Sequence, residues 1–129
     1  MLGQCLTNVR ERKPLIHNIT NYVTVNDVAN VILACGASPI MADAPEDAED
    51  ITKICAGLNI NLGTLNRDKA KSMLLAGKLA AKLGHPILLD PVGGGSSHFR
   101  TETALSLLSE ISFSVIRGNI SEIRALYRK

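Results

Sequence analysis

The feature that most constrains the fold is a regular alternation of short apolar runs with longer segments of helical periodicity. Segment 24–35 shows that periodicity, with apolar residues spaced three and four apart and Gly36 as a stop signal. Strands that alternate with helices through short connections form βαβ units and a mostly parallel sheet. The sequence therefore predicts an α/β fold, a three-layer α/β/α sandwich, without an internal domain boundary in residues 1–129.

The pattern places each element along the chain. The predicted strands are 14–19, 38–42, 57–62, 86–90 and 113–116. The predicted helices are 2–11, 24–35, one after the acidic stretch 43–50, one after Asn66, 100–110, and one from Asn119 to 129. The apolar runs at 87–89 and 114–116 do not alternate with polar residues, as expected for strands that are covered on both faces.

Composition argues against a nucleic-acid partner. The 129 residues carry a net charge of +2, too little to gain much affinity by displacing counterions from DNA. Aromatic residues make up only 3% of the chain and there is no Trp, so the stacking platforms of single-strand binders are scarce. With 46% apolar residues, the chain can form an aliphatic core. We expect a compact domain that acts on a small molecule.

The cysteines and the N-terminal segment indicate the compartment. Cys5, Cys35 and Cys55 are widely spaced and odd in number, which supports neither a zinc site nor a redox pair. Each lies on an apolar helical face, so we expect buried thiols in a reducing environment. Residues 1–13 lack the apolar core of a leader, and no run approaches the ~20 residues of a membrane span. We therefore expect a cytoplasmic protein without a membrane partner.

Polar residues mark the expected helix starts. Thr24, with Asp27 three residues later, resembles a capping pair, and Asn66 is the expected cap of the long helix that follows it. In the acidic stretch 43–50, Asp43 is the expected cap. The carboxylates after it favour the positive end of a helix, which explains them without a metal site.

Polar and glycine-rich segments follow each predicted strand. Ligands bind beyond the carboxyl ends of the strands in open α/β sheets. Five segments are therefore candidates for one shared site: 17–21, 40–43, 61–64, 90–96 and 117–122. Together they offer amide side chains, one Arg and two carboxylates, a set that suits a phosphorylated or nucleotide ligand.

Three of these features have alternative interpretations. The glycine run 93–95 lacks the motif of a P-loop and that of a dinucleotide-binding loop, so it is either a flexible turn or a ligand contact. Asn119 with Glu122 is typical of a helix-capping pair, but a carboxylate at a helix start beside a strand end also suits Mg²⁺. Asp90 lies either on the ligand side or in a turn before Pro91.

Six short motifs in register resemble the hydroxyethylthiazole kinase family of thiamine salvage. They are His17-Asn-Ile-Thr-Asn21, Gly36-Ala-Ser-Pro-Ile-Met41, Asn61-Leu-Gly-Thr-Leu65, Leu89-Asp-Pro-Val-Gly-Gly-Gly95, Phe99-Arg-Thr101 and Ile116-Arg-Gly-Asn-Ile-Ser-Glu122. The resemblance covers nearly the whole chain. It implies a ribokinase-like α/β fold and transfer of the γ-phosphate of ATP to the hydroxyl of 4-methyl-5-(2-hydroxyethyl)thiazole.

The resemblance also implies roles for individual positions. The residues expected to bind the thiazole are Asn21, Val23, Asn26, Met41 and Gly63. Those expected at ATP are Arg117 and Asn119, and those expected at Mg²⁺ are Asp90 and Glu122. The family is typically a homotrimer with thiazole sites between subunits, so the expected partners are the thiazole, ATP, Mg²⁺ and further copies of the chain.

One family motif has no counterpart in this sequence. The family carries a glycine-rich anion hole, whose final residue serves as the base, in its second half. We therefore expect residues 1–129 to be the N-terminal part of a single kinase domain and the catalytic base to lie beyond residue 129. Phosphoryl transfer depends on positioning and charge stabilisation, so the chain alone is expected to be inactive.

Two other functions are compatible with the same residues. The first is a non-catalytic α/β module that binds the thiazole or a nucleotide. The second is a related pyrimidine or pyridoxal kinase, although Met41 and the segment 19–21 match the thiazole family more closely. If residues 1–129 are part of a longer domain, cutting the parallel sheet leaves the fifth strand as a bare edge, so we expect the isolated chain to form oligomers or to aggregate.

Overall fold

The computed structural model describes residues 1–127 and confirms the α/β class. Over this range, five strands alternate with six helices. The strands are β1 (Leu15–Ile19), β2 (Ser38–Met41), β3 (Gly57–Asn61), β4 (Ile87–Asp90) and β5 (Val115–Ile116). The helices are α1 (Leu2–Arg12), α2 (Val25–Cys35), α3 (Ala48–Ile54), α4 (Arg67–Leu83), α5 (His98–Glu110) and α6 (Ile120–Tyr127). Positions 128–129, predicted to continue the last helix, lie outside the described residues.

The strands form one sheet, and every pairing is parallel, as predicted. The order is β2-β1-β3-β4-β5, so the chain leaves β1 in one direction and crosses back over it to continue on the other side. The point of reversal lies between β1 and β3. Ligands in such sheets bind at this switch point, beyond the carboxyl ends of the strands. The topology thus selects the segments after β1 and β3 as the centre of a site.

The two faces of the sheet are covered unequally. On one face, Ile19, Ile60 and Leu89 are fully buried in a core that includes Met73 and Ala76 of α4. On the other face, α2 packs beside β2, and α1 packs on α2. There an open groove of about 800 Å³ runs from α2 across β4 to β5. The three predicted layers are present, but the layer of α1 and α2 leaves the face over β4 and β5 open.

Of the first two predicted helix caps, one makes its capping hydrogen bond and the other does not. Asn66 caps α4 as predicted, because its Oδ1 accepts a hydrogen bond of 2.9 Å from the backbone amide of Lys69. Thr24 occupies the cap position of α2, but its side chain makes no capping bond. Asn21 takes that role at the helix start, since its Oδ1 accepts from both the amide and the hydroxyl of Thr24, each at 3.0 Å.

The prediction that Asp43 caps the third helix is wrong. A turn intervenes, closed by the backbone amide of Asp47 donating to the carbonyl of Ala44 at 3.3 Å, and α3 begins only at Ala48. The carboxylate of Asp43 instead accepts a hydrogen bond of 2.6 Å from the hydroxyl of Tyr22. It therefore belongs to the carboxyl edge of the sheet rather than to the helix.

The prediction of buried thiols holds for one of the three cysteines. Cys55 is buried, and this burial raises the pKa of its thiol. Cys35 is half-buried and Cys5 is exposed. For Cys5 the prediction is wrong because α1, on the outside of α2, has no buried residue. Within the described part of the chain, no helix has both the length and the hydropathy required to cross a bilayer.

His17 connects three elements through a fully buried ring. Its Nε2 lies 2.7 Å from the carbonyl oxygen of Ala42, and its Nδ1 lies 3.0 Å from the hydroxyl of Thr52 in α3. Burial lowers the pKa of His17, although the Ala42 carbonyl acts in the opposite direction. The neutral ring then donates from Nε2, because a carbonyl can only accept. The Thr52 hydroxyl, which donates to the carbonyl of Ala48 at 2.7 Å, lies beside Nδ1. His17 thereby fixes the chain just after β2.

Acidification should destabilise the fold through His17. Its folded-state pKa lies below the ordinary value of 6.5, so below that pH the unfolded chain binds more protons than the folded chain. The contribution of His17 to the free energy of unfolding should be constant above about pH 6.5 and should decrease as the pH falls below that value. Urea titration at a series of pH values measures this change. The control is His98→Asn, since the His98 side chain is 86% exposed. Loss of the slope in His98→Asn would contradict the assignment, as would a His17 ring resonance that titrates at its ordinary pKa.

The open groove predicts self-association of the chain. Sedimentation equilibrium should show oligomers, because parallel sheets are normally covered on both faces and bare edge strands pair with other chains. Val31→Lys, at a groove position that is 63% exposed, should shift the equilibrium toward monomer. Leu33→Lys is the control, since Leu33 is 56% exposed on the same helix but does not line the groove. A monomeric wild-type chain would show the prediction to be wrong.

Candidate functional site

Four side chains form a hydrogen-bonded chain across the carboxyl edge of the sheet. Asn21 follows β1, Asn61 ends β3, Asp90 ends β4 and Arg117 follows β5. The Nδ2 of Asn21 donates to the Oδ1 of Asn61 at 3.2 Å, and the Nδ2 of Asn61 donates to the Oδ2 of Asp90 at 3.0 Å. The Nη1 of Arg117 donates to the same carboxylate oxygen at 2.6 Å. This edge network begins at the switch point and reaches the last strand.

Gly63 fits closely against the start of the network. Its amide donates to the Oδ1 of Asn61 at 2.8 Å. A Cβ at this position would lie 2.4 Å from the Cβ of Asn21, a distance that real Cβ atoms do not reach. The structure thus brings the predicted residues Asn21 and Gly63 into direct contact. Asn61 lies in the candidate segment 61–64 but has no role predicted from the sequence, although its position at a strand end is a signal for a site residue.

Asp90 holds an exposed cation in place from a buried position. Its side chain is 12% exposed, whereas that of Arg117 is 69% exposed. Desolvation raises the pKa of Asp90, with the charge of Arg117 as the main opposing influence and that of Glu122 adding to the rise. The guanidinium of Arg117 is therefore fixed on one side and open to solvent on the other. This geometry suits the recognition of an anionic group.

Asn119 and Glu122 form the capping pair that the sequence indicated. The Oδ1 of Asn119 accepts from the amide of Glu122, and the Oε2 of Glu122 accepts from the amide of Asn119, both at 2.9 Å. The second carboxylate oxygen of Glu122 accepts from the amide of Gly93 at 3.0 Å. Glu122 thus attaches the glycine run 93–95 to the start of α6, and the capping interpretation is confirmed.

A crevice of about 590 Å³ lies at this end of the edge network. Its polar lining consists of Asp90, Arg117, Asn119 and Glu122. These are the four residues that the sequence associated with ATP and Mg²⁺, and the fold brings all of them together. The crevice is therefore lined by two carboxylates, an amide and one largely exposed cation.

The remaining predicted thiazole residues lie on the surface near Asn21. Val23 is 82% exposed in the turn before α2, and Asn26 is exposed in the first turn of that helix. Met41 ends β2 with 36% exposure, paired in register with Asn18 of β1. The edge network does not include these three residues, and their contact with a thiazole stays a prediction.

Arg100 is a residue of the site that the sequence did not identify. Its Nη1 donates to the carbonyl of Leu62 at 2.5 Å and to the carbonyl of Val92 at 3.2 Å, joining the loops after β3 and β4. Its Cδ lies 3.0 Å from the place that a Cβ of Gly93 would occupy, and Gly93 has a φ of +73°. Arg100 belongs to one of the resemblance motifs, but nothing in the sequence indicates the direction of its side chain.

Lys69 was also missed, although it is only 1% exposed. Its ammonium donates to the carbonyl of Thr20, the residue before Asn21, at 2.5 Å. The available signal was its spacing, because positions 69, 73, 76 and 80 form one face of α4, and the other three are apolar and buried. A charged residue that continues an apolar helical stripe indicates a buried charge with partners.

The donor set of the crevice fits Mg²⁺ bound together with a phosphate. Within residues 1–127 there is no cluster of three His, Cys, Asp or Glu side chains arranged to hold a metal. Asp90 and Glu122 supply two carboxylates at the crevice. Mg²⁺ is usually bound by one or two carboxylates and completed by phosphate oxygens and water. The number of carboxylates at the crevice matches this requirement.

Substitution of Gly63 should disturb the edge network. In Gly63→Ala the new methyl group must displace Asn21, so the free energy of unfolding should fall by about 1–3 kcal/mol, the usual cost of overpacking. Chemical denaturation measures this change. The control is Gly57→Ala in β3, where the added Cβ would meet its nearest neighbour at an ordinary 3.5 Å. Equal destabilisation in both variants would contradict the close contact between Gly63 and Asn21.

The chain matches known proteins along nearly its whole length. A protein named hydroxyethylthiazole kinase from Clostridium acetobutylicum is 66% identical over 98% of this chain. One of the same name from Pyrococcus furiosus is 49% identical over 97% of it. The solved structure of a hydroxyethylthiazole kinase protein from Pyrococcus horikoshii OT3 covers 95% of the chain with a TM-score of 0.91 and 48% identity.

The chain spans about half the length of these proteins: 46%, 47% and 48% of them, respectively. The profile of the hydroxyethylthiazole kinase family matches residues 6–129. This match covers far more than half of the sequence, and the fold agrees with it. The chain therefore belongs to the hydroxyethylthiazole kinase family.

Proposed function

We propose that this chain binds 4-methyl-5-(2-hydroxyethyl)thiazole and ATP at the carboxyl edge of its sheet, for transfer of the γ-phosphate to the thiazole hydroxyl in thiamine salvage. The observation that carries the proposal is the edge network. It connects Asn21 and Gly63, the expected thiazole end, with Asp90 and Arg117, the expected phosphate end, through the single amide of Asn61. Two ligands that react with each other must be held in a fixed position and orientation relative to one another.

The thiazole end is formed by Asn21, Gly63 and the exposed apolar side chains of Val23 and Met41. Asn21 is rigid, because its oxygen is bonded to Thr24 and its nitrogen to Asn61. The exposed Val23 and Met41 support the further proposal of a homotrimer with thiazole sites between subunits, since a neighbouring copy would cover them.

The phosphate end is formed by Arg117, Asn119, Asp90 and Glu122. The open side of the Arg117 guanidinium binds a phosphate oxygen, while Asp90 holds the other side. Asp90 and Glu122 would hold Mg²⁺, which neutralises charge on the transferring phosphate when it is bound. Through its carboxylate, Glu122 also keeps the glycine run beside the crevice.

The contribution of residues 1–127 to catalysis is binding and orientation. We predict that the base that removes the proton of the thiazole hydroxyl lies beyond residue 129.

The three cysteines are unpaired in the described structure, which supports the proposed reducing, cytoplasmic location.

Calorimetric titration tests the proposal on this chain. We expect it to bind the thiazole and, separately, ATP with Mg²⁺. Arg117→Ala should weaken ATP binding by about 10- to 100-fold, because a charge-assisted hydrogen bond to phosphate is lost, and should leave thiazole affinity nearly unchanged. Arg124→Ala, at an exposed arginine of α6, is the control.

Two outcomes of this titration, and one of an incubation with both ligands followed by product analysis, decide against parts of the proposal. Absence of thiazole binding overturns the assignment of the thiazole end. Equal loss of both ligands in Arg117→Ala shows that Arg117 acts structurally rather than at phosphate. A phosphorylated thiazole formed by the unaltered chain alone contradicts the prediction that the base lies beyond residue 129.

A further inference from the structure

Lys69 presents a buried charge that the proposed function does not use. Its side chain is 1% exposed in the first turns of α4. Removing an ammonium from water is costly unless partners replace its hydration. Burial lowers the pKa of Lys69, and the nearby Asp43 carboxylate opposes this shift. Such a group in a small domain requires a structural reason.

The ammonium of Lys69 has partners on three separate segments. It donates to the carbonyl of Thr20 at 2.5 Å and to the hydroxyl of Thr64 at 3.2 Å. It lies 3.9 Å from the carboxylate of Asp43 and 4.0 Å from the centre of the Tyr22 ring. Thr20 and Tyr22 follow β1, Asp43 follows β2, and Thr64 follows β3. One side chain therefore connects the ends of three neighbouring strands.

These segments also bond directly to one another around Lys69. The Tyr22 amide donates to the hydroxyl of Thr64 at 3.1 Å, and the Tyr22 hydroxyl donates to Asp43 at 2.6 Å. Thr64 has a φ of +47°, a left-handed conformation that is unfavourable for a β-branched residue. Its hydroxyl receives both Lys69 and Tyr22, which supports the strained turn from two sides.

The segments held by Lys69 directly flank the contact at the thiazole end. Thr20 and Tyr22 are the neighbours of Asn21, and Thr64 is the neighbour of Gly63. Gly63 fits against Asn21 so closely that even one added carbon would collide. A shift of either segment must therefore change the position of the Asn21 amide relative to Asn61.

We propose that Lys69 is a positioning residue that sets the affinity for the thiazole by holding Asn21 against Gly63 and Asn61. This inference rests on the proposed function, because it assigns Asn21 to the thiazole. The new element is that the affinity for the thiazole depends on a lysine of α4 that does not belong to the edge network. The hydrogen bond from the Tyr22 hydroxyl to Asp43 also holds the segment after β1, from the end of β2.

The experiment compares Lys69→Met with Lys71→Met. Met has a similar length and no charge, and Lys71 is an exposed lysine two positions away on the same helix. We expect Lys69→Met to weaken thiazole binding by about 10-fold or more in calorimetry, since the buried carbonyl of Thr20 loses this donor and the hydroxyl of Thr64 loses one of its two donors. ATP binding should change by less than about twofold, and Lys71→Met should change neither affinity.

Amide hydrogen exchange provides a readout that does not require a ligand. In Lys69→Met the amides of Tyr22 and Thr24, which donate to Thr64 and Asn21, should exchange faster. Amides of the β3–β4 pairing should keep their protection. A general loss of protection would show that Lys69 supports the whole fold, which overturns a specific positioning role.

A second variant covers the case in which Lys69→Met does not fold. Thr64→Gly suits the left-handed φ of this position but removes the hydroxyl that Lys69 and Tyr22 share. It should retain the fold, accelerate exchange at Tyr22 and weaken thiazole binding by about threefold or more.

The outcomes separate this inference from the proposed function. If the unaltered chain binds no thiazole, the proposed function is overturned, and so is the part of the inference that concerns affinity. If the unaltered chain binds the thiazole and Lys69→Met binds it equally well, the inference alone is overturned. Unchanged exchange at Tyr22 and Thr24 overturns it as well.

Discussion

The side-chain amide of Asn61 is the interaction on which the site depends. Its oxygen accepts from Asn21 and from the amide of Gly63, while its nitrogen donates to Asp90. An aspartate could not donate to Asp90. An apolar residue would leave the side-chain amide of Asn21 and the backbone amide of Gly63 without this acceptor, and Asp90 would keep only Arg117 as a donor. Because Asn61 ends the strand beside the switch point, this one amide aligns the loop after β1 with the loop after β4.

In the ion pair of Asp90 with Arg117, the carboxylate is buried and the guanidinium is exposed. Asp90 is nearly enclosed and Arg117 is largely open, so the carboxylate orients the guanidinium without neutralising its outer side. Glu122 adds a second carboxylate, anchored through backbone amides on both of its oxygens. The arrangement is suited to a phosphate and a divalent cation together, since each would offset charge that the fold has concentrated at one edge.

Several features were predictable because they depend on local chemistry. Asn66 could be identified as a cap from its place before a periodic apolar segment, and Asn119 with Glu122 from its spacing. Asp43 was misassigned because a carboxylate before a helix resembles a cap whether or not the chain turns first. The partners of Lys69 were not predictable, because Thr20 and Asp43 are distant from it in sequence and only Thr64 is near.

Apolar periodicity and short motifs are properties of contiguous residues, so the alternation of strands and helices, the parallel sheet and the family were predictable without a structure. The sequence also located the polar segments at the strand ends. The strand order could be read only from the folded chain, and so could the pairing of Asn21 with Asn61 and of Asp90 with Arg117. These contacts join residues between 27 and 40 positions apart, and no local pattern encodes which strands become neighbours.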